Sequence, residues 1–371
     1  MLRELLSDFA KANPEIPVEL IHIPDNYFQK LHIMLAAGRT PDVIFLNNLQ
    51  MPVYAEADQL LPLEDRLGAD AEAYFPAALE AMREKGHLLA LPRDLSNLVL
   101  FYNADAFKAA GVAPPGDRWT MAEFLAAAKK LTADSNGDGK RDRFGIGFEE
   151  RPLFWLPYLW SFGGELLDAE GRVRLDEPAS IAGLKFYADL RHTHHVAPTE
   201  AEAGNARMGQ LFAQGKIAMF LSGRWSVPPF RKTLSFKWDV APFPAGPGGS
   251  VVDADGSGWA IARATKRPDD AWKLVNFLAS EPASRKFTAS GLILPARKAV
   301  ANSPDYLAGA PSRSDLFLKV LDTARPIHTG PYWGEVTSEL ELNLGPLWRG
   351  QTDAETAAKK AAARLREVTG Q

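Results

Sequence analysis

The chain has 371 residues, more than one hydrophobic core ordinarily serves, so two domains are expected. It is 46% hydrophobic and 24% charged with a formal net charge of −4, a globular composition without the basic face on which a nucleic-acid binder relies. With no cysteine, disulfides, thiol nucleophiles and cysteine–zinc sites are excluded, and no apolar run approaches the ~20 residues of a membrane span.

The opening "MLRELLSDFAKANPEIPVEL" lacks the basic start, unbroken apolar stretch and small-residue cleavage site of a signal peptide. Leu2, Leu5, Leu6 and Phe9 follow helical spacing, and Asn13-Pro14 stops the helix. "PVELIHI" reads as a strand. "DNYFQKLHIMLAAGR" reads as a helix with Phe28, Leu31 and Leu35 on one face. "PDVIFL" is a short buried strand. This alternation predicts an α/β fold with a mostly parallel sheet.

"NLVLFY" is a further strand, leading into the helix "ADAFKAAG". "WTMAEFLAAAKKLT" carries a capping box, with Thr120 as N-cap and Glu123 three residues later. "LFWLPYLWSFGG" (153–164) puts five aromatic residues in twelve positions and predicts one helix ended by Gly163-Gly164. "PASIAGLKFYADLRH" and "ARMGQLFAQG" are helices, and "KIAMFL" is a strand that begins a second α/β unit. The Pro/Gly-rich "APFPAGPGGSVVDADGSG" marks a loop or crossover. Pro268 sits in the first turn of the helix "RPDDAWKLVNFLAS", and the Ala-rich tail from Thr352 is an amphipathic helix.

Catalytic signatures are absent. The chain has no G-x-S-x-G elbow, no phosphate-binding P-loop, no H-E-x-x-H pair and no evident pair of acid–base carboxylates. His192, His194 and His195 follow Arg191 with no carboxylate at ligand spacing. They read as cations suiting a helix C-terminus rather than as a metal site. "DSNGDGKRDRFG" is more specific. Asp134, Asn136, Asp138, the Lys140 carbonyl and Asp142 match calcium-loop positions, but Gly145 stands where a bidentate Glu belongs. Two readings stay open, a weak structural calcium site and an Asx/Gly turn. No cofactor is required.

An ordered set of segments resembles family 1 of the extracellular solute-binding proteins of ABC importers, the maltose-binding-protein-like group. These are "DFAKANPEIPVEL", "GRTPDVIFLN", "GHLLALPRDLSNLVLFYNADAFKAAGV", "TADSNGDGKRDRFGIGF", "SFGGELLD", "GKIAMFLSGRW", "GSGWAIARATKRPDDAWKLVNFLAS" and "GLILPARKAV". The resemblance implies a two-lobed periplasmic-binding-protein fold of type II, with lobes at 1–102 plus 258–302 and 107–254 plus 310–371. Hinge crossings would lie at 103–106, 255–257 and 303–309, and ligand would sit in the cleft between lobes. It also implies a periplasmic or extracellular, membrane-anchored monomer that delivers a sugar to ABC permease subunits and is no enzyme. The family normally opens with a strand before its first helix. The first strand is apparently missing here, and a longer exported form is expected.

A sugar site needs flat aromatic faces edged by polar groups. In the resembling fold the candidates are Asn47, Asp94, Ser96, Asn97, Trp155, Gly223, Arg224, Trp225, Gly258, Trp259, Tyr332 and Trp333. Trp225 would stack on the sugar with Trp155 or Trp333, and Asp94 and Arg224 would bond its hydroxyls. Leu153 to Trp155 would face the cleft while Leu159, Trp160 and Phe162 feed the core. Arg224 also keeps open glycerol 3-phosphate or a related phosphorylated polyol. A carbohydrate-active enzyme and a sensor that binds without transport are the remaining readings.

Overall fold

The computed structural model describes every residue except Ser135, Asn136, Lys140 and Asn205, together with all side chains of the helices and strands other than that of Asp305. The strands in chain order are β1 Val43–Asn47, β2 Arg83–Glu84, β3 His87–Leu88, β4 Leu91–Ser96, β5 Val99–Asn103, β6 Phe144–Ile146, β7 Ile217–Ser222, β8 Trp238–Ala241, β9 Asp255–Ile261 and β10 Leu294–Pro295. Two compact units result. One comprises Met1–Ser96 with Asp255–Tyr306, the other Asn97–Ala254 with Leu307–Gln371. Each carries a four-stranded sheet, ordered β1-β9-β4-β10 in the first and β6-β7-β5-β8 in the second.

The expected mostly parallel sheet is corrected. β1–β9, β4–β9 and β4–β10 are antiparallel, as are β5–β7 and β5–β8, and only β6–β7 is parallel. The reason is topological. β9 enters the first sheet after an excursion of more than a hundred residues through the second unit, so no right-handed β-α-β crossover dictates its direction.

In the first unit, helix α1 (Leu2–Ala12) buries Leu5 and Phe9, the stripe that its spacing predicts, and Phe9 meets the Phe277 ring edge-on at 5.4 Å. Asn13 has left helical geometry, as expected. Helix α2 (Tyr27–Ala36) fully buries only Leu31 of the predicted face. "PVELIHI" is not a strand. Among the described residues its backbone forms no hydrogen bonds. β1 sits on β9 with Phe45 opposite Trp259, whose rings meet at 5.3 Å. Gly258 is required because a Cβ there would lie 2.3 Å from the Leu91 carbonyl oxygen of β4. The sheet, rather than a ligand, uses its bare backbone.

In the second unit, the Thr120–Glu123 capping box forms as predicted. The aromatic run becomes the helix Pro152–Ser161, ended by Gly163 at φ +83°. Its burial continues from Phe154 through Ser161, so both ends feed the core. Tyr158, Tyr187 and Trp348 pack ring to ring at 4.7–5.6 Å, and Trp155 lies 6.1 Å from Trp348. Helix Pro178–His192 approaches this helix closely because Gly183 stands 2.5 Å, by its absent Cβ, from the Leu159 Cα. Arg191, in the last turn of this helix, is buried. Its guanidinium donates to the Pro198 and Trp348 carbonyls and lies 3.8 Å from the Phe148 ring centre. Strand β7 is buried at all six positions, as a continuous apolar run should be. No helix among the described residues is long and apolar enough to cross a membrane.

Candidate ligand-binding site

The first unit places its candidates at the ends of β1, β4 and β9. Asn47 closes the turn after β1, its side-chain oxygen accepting from the Gln50 amide at 3.1 Å. Its neighbour Asn48 accepts from Gly256 N–H at 3.1 Å and donates to Asp255 at 3.3 Å. Asp94 is 4% exposed, and both carboxylate oxygens are engaged: Arg93 Nε donates at 2.5 Å to one and Ser257 Oγ at 2.5 Å to the other. Arg93 in turn covers the Phe45 ring at 4.4 Å. Asp94 thus holds β4 to β9 and is not presented to solvent as the hydroxyl acceptor expected of it. Ser96 is half-buried opposite Asp255 in the register. Trp259 is buried in the sheet core beside Phe45.

Asp255 was not foreseen; its "DADGSG" context reads as a crossover loop. Burial pushes its carboxyl up to about 6, opposed by the hydrogen bond from Asn48. The fold therefore favours the protonated acid. That contribution to stability is complete below the ordinary value of 3.8 and is lost as pH rises through about 6. Relative to the native protein, Asp255→Asn is expected to gain a few degrees in melting temperature between pH 4 and pH 7. A pH-independent difference between the two would contradict this assignment.

The second unit contributes the turn after β7. Trp225 is 37% exposed, and its ring lies across Gly223, where a Cβ would meet it at 1.9 Å. Glycine at 223 is thus what lets the indole lie flat at the surface. Ser222 and Ser226 hydroxyls bond at 2.8 Å beneath the turn and fix it. Arg224 points inward, buried, with its guanidinium 5.6 Å from the Phe317 ring centre. It is not offered as a surface fork for hydroxyls or phosphate. Asn97 is likewise buried, donating to the Phe317 carbonyl at 2.6 Å.

The other aromatics divide. Tyr332 is 50% exposed, whereas Trp333 is buried at the start of the helix Trp333–Trp348. Trp155 is 1% exposed with its indole donating to the Glu150 carbonyl at 3.0 Å, so it serves packing rather than a cleft face. Arg325 is another unforeseen polar group. It lies 4.7 Å from the Trp160 ring centre and pairs with Glu165 at 3.1 Å.

The Asp134 carboxylate accepts from the amides of Gly137 and Gly139 at 2.7 Å each and from Asp138 at 3.2 Å. Asn136 and Lys140 lie outside the described residues. Among the described residues, no group of three or more acidic or histidine side chains is gathered as for a metal ion. His192 instead bonds the Trp348 carbonyl at 2.8 Å. Calcium titrated into metal-stripped protein is expected to bind no tighter than ~10⁻⁵ M, the weak limit of sensor loops. Submicromolar binding in the calorimeter would contradict this.

A model of the bacterial extracellular solute-binding protein family matches residues 2–284. The maltodextrin-binding protein of Bacillus subtilis is 21% identical over 99% of this chain and 86% of its own length. An ABC substrate-binding protein from Listeria monocytogenes, solved in complex with cycloalternan, superposes with a TM-score of 0.90. It is 25% identical and covers 100% of this chain and 95% of its own. The maltose-bound MalE3 of T. maritima superposes with a TM-score of 0.83 at 26% identity, over 99% and 95%.

Proposed function

Because the chain belongs to the bacterial extracellular solute-binding protein family, we propose that it captures a mono- or oligosaccharide outside the cytoplasm and delivers it to the transmembrane subunits of an ABC importer. The observation that carries this reading is Trp225, an indole held flat and part-exposed on Gly223 by a rigid turn. Such a face suits the C–H surface of a sugar ring. Tyr332, half exposed, is the second aromatic available to a ligand. The bound cycloalternan and maltose of the two solved relatives support the same ligand class.

The polar partners differ from those expected at the outset. Asp94 is committed to Arg93 and Ser257, and Arg224 is buried beside Phe317. With Arg224 buried, a phosphorylated polyol finds less support, since phosphate recognition calls for presented cations. The protein binds without cleaving: malto-oligosaccharides incubated with it should be recovered intact. A thermal-shift screen of maltose, longer malto-oligosaccharides, other sugars and glycerol 3-phosphate tests the reading. A sugar at a hundred times its dissociation constant adds ~2.7 kcal/mol, a shift of several degrees.

A further inference from the structure

In the first unit, the helix Pro268–Leu278 buries Ala271, Leu274, Val275 and Leu278. Asp269, Trp272 and Asn276 follow three and four residues apart and share the opposite face. Core packing does not explain an indole there. Trp272 stays half-buried, while the helix's other ring, Phe277, packs on Phe9 at 5.4 Å. Trp272 and Asn276 line a cavity of about 370 Å³, the size of a small-ligand site. Facing them are Arg66, Asp70, Glu281 and Arg297. The charges of this pocket are already paired. Arg297 is buried and donates to both Asp70 oxygens at 2.6 and 3.2 Å, to the Ala279 carbonyl at 2.6 Å and to the Tyr74 hydroxyl at 2.9 Å. Arg66 pairs with Asp269 at 2.8 Å, and Glu281 with Arg285 at 2.8 Å. Two donors are unspent: among the described residues neither the Trp272 indole N–H nor the Asn276 amide makes a hydrogen bond.

This combination selects the ligand's chemistry. An anion calls for presented cations, and both arginines here are held by carboxylates. A cation calls for a free carboxylate, and Asp70, Asp269 and Glu281 are each paired. A hydrocarbon would strip water from the polar rim and return no hydrogen bond. A neutral ring rich in hydroxyls meets every demand. Its C–H face suits the indole, and its hydroxyls both donate and accept. They accept from Trp272 and Asn276, and they donate to the lone pairs that the Asp70 and Glu281 carboxylates keep beyond their ion pairs. We propose that this pocket is an accessory saccharide site of the first unit, with one sugar ring stacked on Trp272. It shares no residue with the Trp225 turn, so its occupancy stands or falls independently of the sugar reading there.

The test uses the full chain carrying Trp225→Ala and labelled with fluorotryptophan, the Trp272 resonance being identified by its loss in Trp272→Phe. Glucose, galactose, maltose and trehalose are titrated to high millimolar concentration, with inorganic phosphate in parallel. The Trp272 resonance is expected to shift saturably with at least one sugar, at a millimolar dissociation constant, and to stay unmoved by phosphate. Adding Asn276→Leu should weaken that binding about tenfold, the effect of one lost hydrogen bond at a polar site. Asn276 is exposed and off the buried stripe, so the melting temperature of this variant should stay within a few degrees of its parent. The proposal is overturned if no sugar shifts the Trp272 resonance saturably, if phosphate shifts it and the sugars do not, or if the Asn276→Leu chain binds as tightly as its parent.

Discussion

Replacing Trp225 by alanine is expected to weaken sugar binding about thirtyfold, the ~2 kcal/mol of a well-placed aromatic contact, and to leave the melting temperature within a few degrees of the native protein. The two halves follow from one geometry. Trp225 is part-exposed and rests on Gly223, so its removal opens no buried cavity. The 222–226 turn keeps its serine–serine hydrogen bond without the indole. Trp155→Ala, by contrast, empties a fully buried site and should destabilise the fold. Calorimetric titration of both variants with the best sugar separates ligand contact from packing. Normal sugar binding by Trp225→Ala would remove Trp225 from the site.

Gly258→Val is expected to cost about 3 kcal/mol or more and to lower the melting temperature by roughly 4 °C or more. A Cβ at 258 would lie 2.3 Å from the Leu91 carbonyl oxygen and 2.9 Å from its carbon. These atoms belong to β4, which is held between β9 and β10 and has little room to retreat. Gly334 provides the contrast, since nothing lies within 4 Å of its missing Cβ. Gly334→Ala should melt close to the native protein. Were Gly258→Val to melt there too, the account of the first sheet would be wrong.

Much of the local structure was legible because it rests on local rules. The Thr120–Glu123 box, Pro268 at the head of its helix, the helix stop at Asn13 and the left-handed Gly163 each depend on residues within a turn of one another. Strand direction was not legible. β9 pairs with β1 across more than two hundred residues, and nothing in "GSGWAIA" records from which end it enters. "PVELIHI" has the composition and alternation of a strand, yet strandhood is a relation to a neighbour, and its backbone is unpaired.

The candidate site was half legible for a similar reason. "GRW" follows a buried strand as a short turn, and Gly223 beneath Trp225 gives that turn its physical sense. Sequence does not say which way a side chain points within such a turn. Arg224 went inward to Phe317 while Trp225 stayed out. Trp155 and Trp333 look like Trp225 in isolation, but their helices bury them. Asp255 was missed because its elevated carboxyl arises from burial beside Asn48, a residue two hundred positions away.

The central claim is that this protein binds a neutral sugar on Trp225. The most direct measurement is the intrinsic tryptophan fluorescence of the native protein during titration with maltose, longer malto-oligosaccharides and other sugars, with glycerol 3-phosphate in parallel. The account predicts a saturable change with at least one sugar, lost or greatly weakened in Trp225→Ala, and none with glycerol 3-phosphate. Saturable binding of glycerol 3-phosphate with no response to any sugar would contradict it.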